Sequence, residues 1–143
     1  MTSVQIVAHN PPSVWTVPET FKPVYSHAAE APGIERLLMI SGQFGVAPNG
    51  DLAADFGTQC EQAMDNVEAL LAASGMTTSN IVKLTYYVTS AANFPALVEI
   101  RRRRWAWEPA PAVTAIVVSG LARPRLCDRD RDDGGQLARS MHD

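Results

Sequence analysis

The strongest pattern of hydrophobic and polar positions lies between residues 55 and 74 and predicts a helix. Apolar residues recur there at steps of three or four, which places their side chains on one face of a helix. Asp55 is expected to cap the first turn, because its carboxylate accepts from backbone N–H groups that lack helical partners. Gly75 is expected to end the helix in a left-handed conformation. The apolar face consists of Phe56, Cys60, Ala63, Met64, Val67, Leu70 and Leu71.

Alternation and apolar runs predict the strands. In Ile81–Thr89 apolar and polar residues alternate, which indicates that one face of the strand is buried. Ala112–Ser119 is apolar and β-branched, as in a central strand that is buried on both faces. Three further strands are predicted from apolar runs bounded by turn residues. They are a short strand at Val14–Val17 in a proline-rich lead-in, Tyr25–Ala29, and the buried strand Leu37–Gly45.

A second helix is predicted from Asn93 to about Trp105, with Asn93 as its cap. Four consecutive arginines, Arg101–Arg104, stand near its end, and successive side chains on a helix point about 100° apart. They therefore cannot form one basic face, and a solvated helix end is favoured over a phosphate or nucleic-acid site. A contact of Arg101 or Arg104 with another subunit stays open. The element order β-β-α-β-α-β predicts an α+β fold in which two helices cover one face of a sheet.

Composition and charge narrow the class of protein. The 143 residues are 46% hydrophobic and carry a net charge of −3, which is typical of one soluble domain and argues against a general nucleic-acid binder. No apolar run is long enough to span a bilayer and the first twenty residues contain no apolar signal-peptide core, so we expect a cytoplasmic protein with no membrane partner. Cys60 and Cys127 have no close-spaced cysteine or histidine partner, and no metal site is expected.

Self-sufficient catalytic motifs are absent from the sequence, which contains no P-loop, GxGxxG, HExxH or GxSxG pattern. His27 follows Tyr25 and Ser26 and is a candidate acid–base group. An isolated histidine more often has a structural role, and the residues alone therefore assign no catalytic side chain.

Five short motifs, taken together and in order, are more specific than any single residue. They are Tyr25-Ser26-x-Ala28, Ser41-Gly42-Gln43, Ile81-Val82-Lys83, Pro111-Ala112-x-Thr114 and Leu121-Ala122-Arg123-Pro124. In this series, with almost no gaps, the chain resembles the RidA (YjgF, endoribonuclease L-PSP) family from about residue 20 to residue 124. The resemblance implies the chorismate-mutase-like fold, an α+β architecture with a mixed β-sheet and two helices on one face, assembled as a homotrimer.

The resemblance also implies a function. The best-known members hydrolyse reactive enamines and imines, such as 2-aminoacrylate, in clefts between subunits and without a metal or organic cofactor. Tyr25 and Ser41 match residues that line the cleft. The family arginine clamps the substrate carboxylate in a bidentate contact, but its position is Val113 here, while the neighbouring Thr114 is kept.

This departure changes the expected ligand. Valine has neither charge nor donor, so Val113 cannot bind a carboxylate, and the chain is similar to an arginine-lacking branch of the family. A small-molecule substrate without a carboxylate, or one held by another cation, is expected. The alternative function is a non-catalytic ligand-binding or chaperone-like trimer. The substrate-binding positions implied by the resemblance are Tyr25, Ser41, Val113 and Thr114, and no catalytic residue is assigned.

Residues 125–143 differ from residues 1–124, which we assign to the RidA-like domain. They carry nine charged side chains and their first dozen residues lack the pattern of a strand, whereas the family has here a closing strand whose glutamate helps position the attacking water. One choice of synonymous codons for residues 125–136, shifted by deletion of one base, reads Asp-Tyr-Ala-Ile-Glu-Ile-Glu-Met-Thr-Ala-Ala-Asn, which has the form of that strand. We therefore predict a frameshift near codon 125, which would leave Ala112–Ser119 with an unpaired edge. A genuine charged tail is the alternative, and resequencing the DNA distinguishes the two.

Overall fold

The structure is a computed structural model that describes residues 6–122 and 138–139 of the chain. The described part is an α+β protein with two helices and small sheets, as predicted. The segment in which we predict a frameshift, residues 125–136, lies outside the described residues. In chain order the elements are β1 (Val7–His9), β2 (Ala28–Glu30), β3 (Gln43–Phe44), α1 (Phe56–Ala73), β4 (Lys83–Val88), α2 (Phe94–Arg104), β5 (Ala112–Val117) and β6 (Ala138–Arg139).

The helix predicted over residues 55–74 is confirmed as α1. The Asp55 carboxylate accepts hydrogen bonds of 2.9 Å from the backbone N–H and from the hydroxyl of Thr58, and these bonds lower the pKa of Asp55 below its ordinary value. Gly75 has a φ of 72°, in the left-handed region that lets the last turn close. Leu70 is the exception to the predicted apolar face, since its side chain is exposed.

The hydrophobic core lies between the two helices and β4. The apolar positions that alternate along β4 face this core, as the sequence predicts, and the tryptophan after α2 is buried in it. Burial of this many large apolar side chains is the main stabilising contribution to such a domain. The core residues from these elements are Cys60, Met64, Val67, Leu71, Leu84, Tyr86, Val88, Leu97 and Trp105.

The described strands form three two-stranded sheets rather than one continuous sheet. β1 pairs antiparallel with β2, β3 pairs antiparallel with β6, and β4 pairs parallel with β5. β6 also contacts β4 and α1, so residues 138–139 lie between β3 and β4. The C-terminal strand position is therefore there and not along β5, whose edge the sequence predicts a closing strand to cover. The described strand pairings are therefore mixed in direction, and the strand between β3 and β4 is only two residues long.

The predicted buried strand Leu37–Gly45 is wrong over most of its length. Only β3 is a strand, and Leu37 and Met39 are 67% and 65% exposed whereas Ile40 is buried. A strand needs a neighbour for its backbone N–H and C=O groups, and the two-residue β6 supplies one for β3 alone. The predictions nearer the N-terminus are also displaced: the first strand is β1 rather than Val14–Val17, and Tyr25–Ala29 becomes a strand only from Ala28.

The prediction that Ala112–Ser119 is buried on both faces is wrong. β5 is paired along its length only with β4; among the described residues its other edge makes one strand bridge, between Ala112 and Ser26. Ile116 and Val117 are consequently 40% and 46% exposed. Burial of an apolar strand depends on the neighbours that the fold provides, and within residues 6–122 and 138–139 β5 is an edge strand.

The helix predicted from Asn93 to Trp105 is confirmed as α2, but Asn93 does not cap it. Asn93 already has helical angles, with φ of −86° and ψ of −10°, and its side chain makes no capping hydrogen bond. A capping side chain reaches the first turn from the extended region instead. Ser90 has that conformation and its hydroxyl accepts from the backbone N–H of Ala92 at 3.2 Å, which caps the short helical turn before α2.

The four arginines of α2 diverge as the helical geometry predicts. Arg101 is buried, where it donates to the Tyr86 hydroxyl at 2.9 Å and lies over the Trp107 ring. Arg102 donates to a backbone carbonyl of the N-terminal segment. The other two bind an acidic row on α1: Arg103 pairs with Glu61, and Arg104 pairs with Glu61, Asp65 and Glu68. The interpretation of all four as a solvated helix end is therefore wrong for Arg101 and Arg104.

The pairing of α1 with α2 is expected to weaken in acid. Burial raises the pKa of Glu61, but hydrogen bonds from Arg103 and Arg104 outweigh it and hold the pKa below its ordinary value of 4.5. A carboxyl group whose pKa is lower in the folded state than in the unfolded state stabilises the fold at pH values above its unfolded-state pKa. This stabilisation is lost as the pH falls through the folded-state pKa. The free energy of unfolding of wild type should therefore exceed that of Glu61→Gln at neutral pH, and the difference should shrink below pH 4.5.

Urea unfolding at a series of pH values measures this difference. Glu99→Gln is the matched control, because Glu99 is an exposed glutamate on α2. It should give only a small difference, because an exposed side chain on the helix surface contributes little to the free energy of unfolding. A difference between wild type and Glu61→Gln that stays constant down to the lowest pH would contradict the role of the Glu61 carboxylate.

Candidate functional site: a cleft beside Tyr25

A cleft of about 730 Å³ opens between the N-terminal segment and the loop before β5. Its wall combines aromatic, proline and charged residues, and a cleft of this size can hold a small organic ligand. Of the residues that the resemblance places in the ligand site, Tyr25 lies in this wall. The polar and aromatic residues that line the cleft include Asn10, Trp15, Lys22, Tyr25, Ser26 and Glu108.

Tyr25 belongs to a cluster of three rings with Trp15 and His27. The Trp15 and Tyr25 rings stack with centroids 6.0 Å apart, and the His27 ring meets both edge to face, at 4.4 Å and 5.4 Å. The Tyr25 hydroxyl is 3.1 Å from His27 Nδ1, and His27 Nε2 is 2.7 Å from the Trp15 carbonyl oxygen. The backbone N–H of His27 donates to Asn10 Oδ1 at 2.8 Å. The N-terminal segment and the Tyr-Ser-His stretch thus form one hydrogen-bonded unit.

Val113 and Thr114 point to opposite faces of β5. Val113 pairs with Leu84 and its half-buried side chain packs against the apolar core. The Thr114 hydroxyl accepts from Lys83 Nζ at 2.5 Å, on the other face, because successive strand residues alternate. Lys83 is therefore directed away from the face on which Val113 stands.

The backbone brings the Tyr25–His27 stretch beside the start of β5, whereas Ser41 precedes a different strand. The N–H of Ser26 donates to the Pro111 carbonyl at 3.1 Å, and Ser26 bridges Ala112 in parallel, so the residues flanking Ser26 run beside the start of β5. Ser41 precedes β3, whose main contacts are with α1 and β6. Within one chain, the positions expected to bind the ligand therefore lie in two groups.

Several cleft residues were missed by the sequence reasoning. Asn10, Trp15 and Lys22 lie in a proline-rich segment without periodicity, and Glu108 lies in a loop. What marks these residues is their position near Tyr25 in the folded chain, and the sequence alone carries no information about that position. Among residues 6–122 and 138–139, no group of three or more histidine, cysteine or acidic side chains is placed to hold a metal ion. No helix in that part of the chain is long and apolar enough to cross a membrane.

The described residues form an α+β protein with a cleft beside Tyr25, and comparison with known proteins shows its family. The solved structure of YyfB from Yersinia pestis, a protein of unknown function of the conserved Rid family, superposes with a TM-score of 0.74 at 27% identity and covers 96% of each chain. The sequence profile of the family described as Endoribonuclease L-PSP matches residues 18–126. The chain belongs to this family.

Two curated relatives extend the comparison. A RutC family protein of Aquifex aeolicus is 43% identical over 77 residues, which are 53% of this chain and 59% of that protein. TdcF of Escherichia coli, named as a candidate reactive intermediate deaminase, is 29% identical over 68 residues, which are 47% of this chain and 53% of TdcF. The chain thus spans less than two thirds of the length of either relative.

Proposed function

We propose that the chain is a Rid-type hydrolase that binds a small enamine or imine lacking a carboxylate. The observation that carries this proposal is Val113, which packs against the apolar core at the position where the resemblance implies a carboxylate-binding arginine. The name of TdcF supports the reaction class. For an aldimine the reaction is R–CH=NH + H₂O → R–CHO + NH₃. It needs water and proton transfer but no redox step, so we propose no metal or organic cofactor.

The charges around the cleft support a ligand without a carboxylate. Lys22 is the cation among the described residues that line the cleft, and its ammonium group is 2.6 Å from Glu19 Oε1. Glu108 adds a negative charge to the same wall. Since like charges repel across a cleft and Lys22 is already paired, an anionic ligand gains little here. A substrate carboxylate held by another cation is therefore the weaker of the two expectations.

We further propose that the working protein is a homotrimer with its ligand sites between subunits. Two observations support this. Tyr25 and Ser41 lie in separate parts of one chain, so a second copy is needed to bring both to one ligand. The exposed apolar residues Ile116 and Val117 on the edge strand β5 are suited to burial against such a copy.

The side chains of Arg101–Arg104 point in different directions and do not form one basic surface. This supports a small-molecule ligand rather than a nucleic acid.

The proposed function is tested by comparing two imines in the wild-type protein. A flavin-dependent amine oxidase converts benzylamine to an imine without a carboxylate, and a serine dehydratase supplies 2-aminoacrylate. We expect the chain to accelerate aldehyde release from the benzylamine-derived imine and to leave pyruvate release from 2-aminoacrylate near its spontaneous rate. Reactions without the chain, and with Tyr25→Phe, are the controls. Acceleration of neither imine would favour the alternative, a non-catalytic ligand-binding or chaperone-like trimer.

A further inference from the structure

The hydrogen bonds around His27 determine which of its nitrogens carries the proton. Nε2 is 2.7 Å from the Trp15 carbonyl oxygen, which can only accept, so Nε2 must donate its N–H. In a neutral imidazole the other nitrogen, Nδ1, is then an acceptor. The Tyr25 hydroxyl, 3.1 Å away, must therefore donate its proton to Nδ1.

The surrounding structure holds His27 in this orientation. Its backbone N–H is bound by Asn10 Oδ1 at 2.8 Å, and the edge-to-face contact with Trp15 places the two ring centroids 4.4 Å apart. A ring held by its backbone, by a carbonyl and by an aromatic neighbour has little freedom to flip. Support of this kind is what keeps a functional group in one geometry.

The direction of the phenol proton determines what Tyr25 offers to the cleft. With its proton committed to His27, the phenol oxygen presents a lone pair and no donor to the ligand. A ligand N–H can donate a hydrogen bond to the phenol oxygen. A carboxylate or carbonyl oxygen of the ligand can only accept, so its lone pairs would face those of the phenol oxygen and be repelled. Such an oxygen would be bound only if the hydrogen bond between Tyr25 and His27 were broken, which leaves Nδ1 without its donor.

We propose that His27 is a positioning residue that makes Tyr25 a hydrogen-bond acceptor for the N–H of a neutral imine or similar ligand. Val113 indicates that the ligand has no carboxylate, and the Tyr25–His27 pair indicates that it has an N–H group. The inference deepens the proposed function and uses its site. It does not require that the ligand be hydrolysed, and binding alone therefore tests it.

Two matched lactams are the probes. 2-Pyrrolidinone carries an N–H, and N-methyl-2-pyrrolidinone replaces only that hydrogen by a methyl group. We expect wild type to bind 2-pyrrolidinone about tenfold or more tightly than the methylated lactam, because loss of the N–H leaves the phenol oxygen without its donor. The affinities are measured by NMR titration of the full chain, and they are read as a ratio.

The ratio separates positioning from a structural role. General loosening of the cleft weakens both lactams alike, whereas loss of proton direction lowers the ratio towards one. His27→Phe keeps a ring in the aromatic cluster but removes the acceptor, and it should lower the ratio. Tyr25→Phe removes the phenol oxygen and should do the same, which keeps the test valid if the His27 variant does not fold.

Nitrogen-15 NMR of histidine-labelled wild type supplies an independent readout. We expect the neutral His27 ring to carry its proton on Nε2. A proton on Nδ1, equal affinities for the two lactams in wild type, or no binding of either would overturn the inference. A preserved ratio without imine hydrolysis would instead support the Tyr25–His27 pair and refute the proposed hydrolase, so the two failures are distinguishable.

Discussion

Val113→Arg, combined with a repaired C-terminal segment, is expected to raise the hydrolysis of 2-aminoacrylate by about 10- to 100-fold over the unaltered chain. A charge-assisted bidentate contact with a carboxylate contributes roughly 1.5 to 3 kcal/mol, and each 1.4 kcal/mol changes a rate or an equilibrium about tenfold. The repaired segment replaces residues 125–136 by the sequence read in the shifted frame, which includes the glutamates of the implied closing strand. Both changes are needed because the resemblance assigns carboxylate binding to one and water positioning to the other.

The measurement is pyruvate release from enzymatically generated 2-aminoacrylate, followed against the spontaneous rate. Val113→Met with the same repaired segment is the matched control, since methionine adds length without a charge or donor and should give no gain. Because Val113 packs against the core, thermal unfolding of each variant must accompany the rates. If the folded arginine variant gains nothing, or if the unaltered chain already matches an arginine-bearing relative, the reading of Val113 is wrong.

The repaired segment alone should raise the melting temperature by on the order of 10 °C. Among the described residues only the two of β6 lie between β3 and β4, and in the segment before β3 the side chains of Leu37 and Met39 are largely exposed. The shifted-frame sequence offers an alternating Ile-Glu-Ile-Glu stretch for this space. Burying two isoleucines contributes roughly 3 to 6 kcal/mol, and each kcal/mol raises the melting temperature of a domain of this size by about 2 to 4 °C.

Differential scanning calorimetry and sedimentation velocity test this prediction together. The control carries the same twelve residues in an order that destroys the alternation, so that composition and charge are unchanged. We expect the repaired chain to melt higher and to form a homotrimer, and the scrambled chain to do neither. Equal melting temperatures for the repaired and scrambled chains would contradict the idea that a closing strand belongs between β3 and β4. An intact reading frame in the resequenced DNA would refute the frameshift itself.

The sequence was informative wherever a structure depends on residues close together in the chain. α1 formed as predicted, with Asp55 at one end and Gly75 at the other, because helical hydrogen bonds and caps join residues three or four positions apart. The different directions of the Arg101–Arg104 side chains follow from the same helical geometry, in which successive side chains point about 100° apart. The motif that contains Thr114 predicts that Val113 stands at the arginine position, and the family match over residues 18–126 covers this motif.

Strand burial and the site depended on distant residues. Ala112–Ser119 and Leu37–Gly45 have apolar sequences suited to a buried strand, yet whether they are covered depends on neighbours contributed by other parts of the chain. The same holds for the cleft, in which Asn10 and Trp15 reach His27 from a segment without periodicity.

The local pattern was therefore enough to predict the two helices, and the ordered motifs were enough to indicate the family. That Val113 stands where the family has its carboxylate-binding arginine stays a prediction. Only the tertiary structure decided that Arg101 is buried while Arg103 is exposed on the surface of the same helix. It alone placed the Tyr25 hydroxyl beside His27 Nδ1. The physical reason is that burial and hydrogen-bond direction are properties of the space between elements, and that space is created by packing rather than by any one segment.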